Sequence, residues 1–222
     1  RRLMHELEAI LQRIDGRGYK AYKELQGRSF HFEHFELRVE HVQGDPYAAP
    51  SRMRAMVPLK VAAIPDTALS TSARCRATRD FLARTFRKTT RNQRALGIDA
   101  GRQTVLDRSA CLISADTIDL RFTLDLPGAG RRILGRKAAG ILVEQLPEFV
   151  DIAALARHLD LDRLEEHCAT VEDQVALRQA LATAGLVAFV GNGSILPRRS
   201  GIDDRPLANG LPLTSPKTLE VA

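Results

Sequence analysis

Five bases, Arg84, Arg87, Lys88, Arg91 and Arg94, recur at a spacing that places them on one side of an α-helix, with Leu82, Phe86, Thr89 and Gln93 on the other. The only acid between residues 79 and 95 is Asp80, so Arg87, Lys88, Arg91 and Arg94 lack carboxylate partners one turn away on their own helix. An array of this kind repels itself until a polyanion neutralises it, and nucleic-acid phosphates are the common neutraliser. The competing reading is a solvated helix face whose partners sit on other elements. No zinc-finger, KH or RNA-recognition signature accompanies the array, so the chemistry it implies is backbone contact without base readout.

A second basic cluster, Arg131, Arg132, Arg136 and Lys137, falls at a predicted strand-to-helix turn. Gly130 to Lys137 is a near miss to the phosphate loop G-x-x-x-x-G-K-[ST]. Arg136 stands at the Lys position and Lys137 at the hydroxyl position, so the Mg²⁺ ligand is absent. The segment is rejected as a nucleotide loop, while Arg131, Arg132 and Lys137 are retained as phosphate contacts.

Two loops add polar groups on fixed backbone. Gly44 and the prolines of residues 43–52 shape one, and Gln43, Asp45, Tyr47, Ser51 and Arg52 are its candidate ligand contacts. The other, residues 191–201, offers Asn192, Ser194 and Arg198, with glycines that permit close backbone approach. The bland readings are a structural crossover for the first and an interdomain linker for the second. No His or Cys spacing matches a zinc site, no G-x-S-x-G elbow is present, and neither a metal nor a catalytic residue is assigned.

The elements that must position these groups follow from periodicity. Helices are expected over 2–14, 19–25, 73–96, 133–146, 151–159 and 162–184. Strands are expected around Phe30–Phe32, Phe35–Val39, Met53–Val57, 109–114, 117–126 and Leu186–Val190, with a turn at Glu33–His34 and an irregular tail over 191–217. This mixed order predicts an α+β fold. The expected division is a domain over 1–190 and a linker with one strand over 191–222.

The 222 residues carry a net charge of +6, with 44% hydrophobic and 27% charged residues, an ordinary balance for a globular protein. No run of about 18 apolar residues predicts a membrane span. Charge is polarised: 13 bases face four acids between Arg52 and Arg108, whereas acids dominate from Glu148 to Gly185. Three widely spaced cysteines suit a reducing, cytoplasmic setting.

Four phrases in order, Ile14–Lys23, His41–Arg52, Leu134–Ala139 and Phe189–Gly201, resemble the N-terminal region of the bacterial "predicted ATPase of the ABC class" family, whose relatives include a kinetoplastid mitochondrial protein linked to RNA editing. The resemblance implies a front domain attached to an ATPase core that uses ATP and Mg²⁺, dimerises, and engages RNA through basic surfaces. It implies no membrane partner and a cytoplasmic homodimer. Thr218–Val221 would be the first strand of the core, and the Gln43–Arg52 and Asn192–Arg199 loops would sit near the ATPase interface and complete its nucleotide site. No Walker A, signature or Walker B motif lies in these residues, so hydrolysis and bound ATP are expected of the longer protein and not of this segment. The alternative is a structural, dimerising or regulatory domain that touches only its own ATPase core. A weaker reading is an enzyme on RNA ends or nucleotides, using Asp45 and a histidine.

Overall fold

The computed structural model describes residues 4–100, 110–191, 195–200 and 203–212. Helix α1, Glu6–Ile14, buries Leu7, Ile10, Leu11 and Ile14 at helical spacing. A 3₁₀ helix, Tyr19–Leu25, follows, and Gly27 closes it at φ +76°. Strands β1 (Ser29–His31) and β2 (Glu36–His41) pair antiparallel across the predicted turn, which is why the buried parity switches between Phe30 and Phe35. Strand β3, Ser51–Pro58, runs antiparallel to β2.

After β3 come a short helix α2 (Leu59–Ala62) and a 3₁₀ turn, then the long helix α3, Ser72–Thr90. Strands β4 (Leu96–Gly97) and β5 (Cys111–Ile113) lead to β6, Thr117–Leu124. The sheet runs β1-β2-β3-β6-β4, with β5 also paired to β6, and every pairing is antiparallel. β6 alternates strictly, burying Ile118, Leu120, Phe122 and Leu124 against the helices. Phe86 of α3 meets Phe122 edge-on, 6.0 Å between centroids. The mixed α+β architecture matches the fold class expected from sequence.

A small hairpin, β7 (Gly128–Ala129) and β8 (Arg132–Ile133), turns into α4, Gly135–Ala139. The helix expected over 133–146 starts at Gly135 and runs on past 146, with a change of pitch inside it. α4 passes into a π-helical turn, Gly140–Gln145, and then α5, Leu146–Ala154. Pro147 supplies the reason: it lacks the N–H that would bond back to the preceding turn, so that turn widens. Helix α6, Leu161–Thr183, is capped by Asp160, whose Oδ1 accepts the Arg163 N–H at 3.1 Å.

Three further expectations are corrected. α3 stops at Thr90, short of residue 96, because Leu96 is drawn into pairing with Leu124 of β6. Arg91 is therefore the C-cap, and Arg94 lies off the helix in the following turn. Leu186–Val190 is no strand: it pairs with no edge among the described residues. The tail expected to be irregular contains an antiparallel ribbon, β9 (Ile195–Ser200) with β10 (Asp203–Pro212). Its prolines are tolerated because each strand has an unpaired side, and the register shifts on either side of Pro206.

Candidate nucleic-acid interface

The two ends of α3 use their bases differently. At the N-terminal end Thr71 caps the helix, its hydroxyl accepting the Arg74 N–H at 3.1 Å. Arg74 turns toward α6: its guanidinium donates to both carboxylate oxygens of Glu165 at 2.7 and 2.8 Å and to Glu172 at 2.8 Å. These hydrogen bonds hold the Glu165 and Glu172 carboxyls below the usual carboxylate range. Arg79 donates from Nε to the Cys111 carbonyl at 3.0 Å. Toward the C-terminal end, Arg84, Arg87, Lys88, Arg91 and Arg94 are all exposed, while Leu82 and Phe86 are buried. The negative end of the helix dipole favours cations at the last turn of α3, where Arg87 and Lys88 lie.

The exposed bases divide between two concavities. Arg87, Arg91 and Arg94 line one of about 340 Å³, together with Thr90, Gln93 and the backbone around Leu96–Ile98, and no acid lines it among the described residues. Arg87 also donates to the Ala100 carbonyl. Arg84 and Lys88 line the other, a groove of about 650 Å³ between α3 and α6 that they share with Asp80, Asp160 and Glu166. In its wall the buried Asp80 meets His167 Nε2 at 3.2 Å.

The second predicted cluster is a packing junction. The Gly135 N–H, where a phosphate loop would present an anion site, donates to Asp15 Oδ1 at 2.7 Å. A Cβ at Gly135 would stand 2.0 Å from the Leu11 carbonyl oxygen, so glycine is there to let α4 approach α1. Arg132 donates to the Gly16 carbonyl at 3.3 Å, Arg136 approaches Asp15 at 3.9 Å, and Lys137 is exposed. Arg131 points elsewhere, into a groove with the 43–47 loop.

In that loop, Gln43 and Ser51 are 1% and 0% exposed and build the loop from inside, out of reach of a ligand. Gln43 Oε1 accepts from the Ser51 N–H (3.3 Å), the Ser51 hydroxyl (3.2 Å) and the Leu126 N–H (3.0 Å), and its amide donates to Asp125 at 3.0 Å. Asp45 and Tyr47 are exposed. Arg52 is exposed on the open face of the sheet, in register with Thr123 and in a concavity with Glu40 and Arg121. Asn192 and Ser194 lie outside the described residues, as does the expected strand Thr218–Val221. Arg198 lies in β9, opposite Pro206.

Two features went unremarked in the sequence. Arg38, Arg54 and Arg121 stand in one row across β2, β3 and β6, with Arg54 paired to Glu40 at 2.9 Å and Asp119 at 3.2 Å. Strand alternation was the available signal. Lys20 lines the groove that holds Arg131 and Tyr47, a meeting of three distant segments that no local pattern announces.

Among the described residues no group of three or more His, Cys, Asp or Glu side chains could hold a metal, and no helix is long and apolar enough to cross a membrane. Cys75, Cys111 and Cys168 are free thiols, and burial pushes Cys111 up to about 12.

Comparison with known families accounts for nearly the whole chain. Residues 4–157 match the family model described as "ATPase of the ABC class N-terminal", and residues 160–222 match the P-loop domain model of the ABC ATPases. No curated protein matches the chain. The boundary between the two models falls just before α6, the helix that Arg74 ties to α3. The chain therefore belongs to the ABC-class ATPase family, carrying its N-terminal domain and, from residue 160, residues of its P-loop domain.

Proposed function

We propose that this N-terminal domain binds nucleic acid, RNA in preference, on behalf of the ABC-class ATPase to which it belongs. The observation that carries the reading is the acid-free concavity of Arg87, Arg91 and Arg94 at the C-terminal end of α3. Three guanidiniums on fixed backbone, with no carboxylate among the described lining residues, suit phosphate oxygens. Arg84, Lys88, Arg131, Arg132 and Lys137 extend the contact as exposed bases. None of these groups reads a base edge, so binding is expected to be sequence-tolerant and strongly salt-dependent. Reversing Arg87 and Arg91 together tests it: loss of RNA binding in fluorescence anisotropy supports the assignment, and unchanged affinity sinks it.

The P-loop domain implies ATP and Mg²⁺ in the longer protein. The described residues do not fit that group. The nearest sequence to a phosphate loop spends its Gly135 N–H on Asp15, and no carboxylate cluster is placed for a metal. We place the domain in the cytoplasm, which its three free thiols support, and read the protein as a homodimer, to be checked by light scattering.

A division near residue 190 is supported by packing: α6 buries Leu164, Cys168 and Val171 in the N-terminal unit, although the P-loop model claims it. A second reading, a domain that serves only to contact its own ATPase core, draws on a different observation. Of nine large apolar side chains exposed among the described residues, five lie between Leu186 and Leu211, and Val187 is 99% exposed. Salt-sensitive self-association without nucleic acid would favour it.

A further inference from the structure

A groove of about 580 Å³ lies on a different part of the molecule from α3, where the start of the 3₁₀ helix, the 43–47 loop and the β7–β8 turn meet. The loop after β6 organises it. Its Leu126 carbonyl accepts from the Tyr19 hydroxyl at 2.7 Å, its Pro127 carbonyl from the Tyr22 hydroxyl at 2.6 Å, and its Leu126 N–H donates to Gln43. Gln43 in turn holds the Asp45 carbonyl at 3.3 Å, and Asp45 Oδ1 accepts the Tyr47 N–H at 2.8 Å. The result is an aromatic ring 91% exposed on a backbone fixed at both ends, on a groove that Lys20 and Arg131 also line. Folding leaves such a ring in water at a cost, and no other aromatic ring among the described residues is exposed so fully.

We propose that this groove binds a nucleotide, with the base stacked on Tyr47 and the phosphate held by Lys20 and Arg131. The volume suits one nucleotide. A flat π face takes any base, and two ammonium-type and guanidinium donors take the phosphate oxygens. Asp45 keeps the phosphate on the basic side of the groove and offers its second oxygen to a sugar hydroxyl or a base N–H. The nucleotide is either free or one unit of a single strand. The site does not depend on the α3 bases, so its failure and theirs are separable.

The test is titration of the full chain with the fluorescent nucleotide 1,N⁶-etheno-AMP, followed by quenching and polarisation. Saturable binding is expected. Tyr47→Ala should weaken it at least fivefold, Tyr47→Phe should preserve it, and Lys20→Ala with Arg131→Ala should weaken it further. The Arg87→Glu, Arg91→Glu variant should bind the probe like the parent. Tyr47 packs on no core, so Tyr47→Ala should melt at the parent temperature. Displacement by an oligoribonucleotide at lower nucleotide concentration than AMP assigns the groove to a strand, and the reverse order to a free nucleotide; either supports the site. No saturation, equal binding by Tyr47→Ala, or displacement by inorganic phosphate as effective as by AMP would overturn it.

Discussion

One helix, α3, borders two grooves, one lined by both acids and bases and one whose described lining has bases and no acid. Arg84 and Lys88 look toward α6, where Asp160 and Glu166 share the lining. Arg87, Arg91 and Arg94 look toward the β4 turn, where the described lining has no acid. All five are exposed bases on or just after the same helix. The difference lies in what the neighbouring element brings, and it decides which bases still need an anion. A count of positive charge would treat all five alike.

Breaking the acid-free side should have the largest effect. Arg87→Glu with Arg91→Glu should lower RNA affinity on the order of 100-fold, since it removes two phosphate contacts and adds two repulsions. An unchanged dissociation constant would move the interface elsewhere.

The junction of α3 with α6 can be tested next, through Arg74. Replacing Arg74 with Ala should speed amide hydrogen exchange over the first half of α6, because Glu165 and Glu172 lose their shared partner. The same pairs set a pH dependence. Both carboxyls are held below their unfolded values, so their contribution is complete above the unfolded glutamate pKa of about 4.3 and is lost as pH falls through the depressed values. Acid titration of α6 exchange should show that loss in the parent and not in Arg74→Ala.

On the acid-lined side, Arg84→Glu with Lys88→Glu should cost only about fivefold in RNA affinity, since the groove already contains carboxylates. A loss as large as that of the Arg87 and Arg91 pair would erase the distinction between the grooves. The smallest expected change is a gain: Glu166→Lys should tighten RNA binding about twofold at low salt, with a correspondingly steeper salt dependence.

The basic side of α3 was legible because a period of 3.6 is a local property. Its division was not, because Asp160 and Glu166 reach the groove from another helix. The end of the helix was misread for a similar reason: Gln93–Ala95 carry no breaker, and only pairing of Leu96 with Leu124 pulls the chain out of helical geometry. Gln43 looked like a ligand contact since an amide beside Gly44 and Asp45 has the right chemistry. Its burial depends on Ser51, Asp125 and Leu126, three positions that sequence spacing does not bring together. The longer strands of the sheet, β2, β3 and β6, were readable from alternation, whereas β4 was read as the end of a helix and the β9–β10 ribbon was hidden by prolines that read as breakers.

The most direct test of the central claim is anisotropy of the full chain with single-stranded RNA, duplex RNA and DNA across a salt series, parent beside Arg87→Glu, Arg91→Glu. The account predicts RNA affinity that falls log-linearly with salt, with a slope of about −3.5 for five neutralised phosphates on a single strand, made shallower by the double variant. Absence of binding at low salt, or a slope that the variant leaves unchanged, would contradict it.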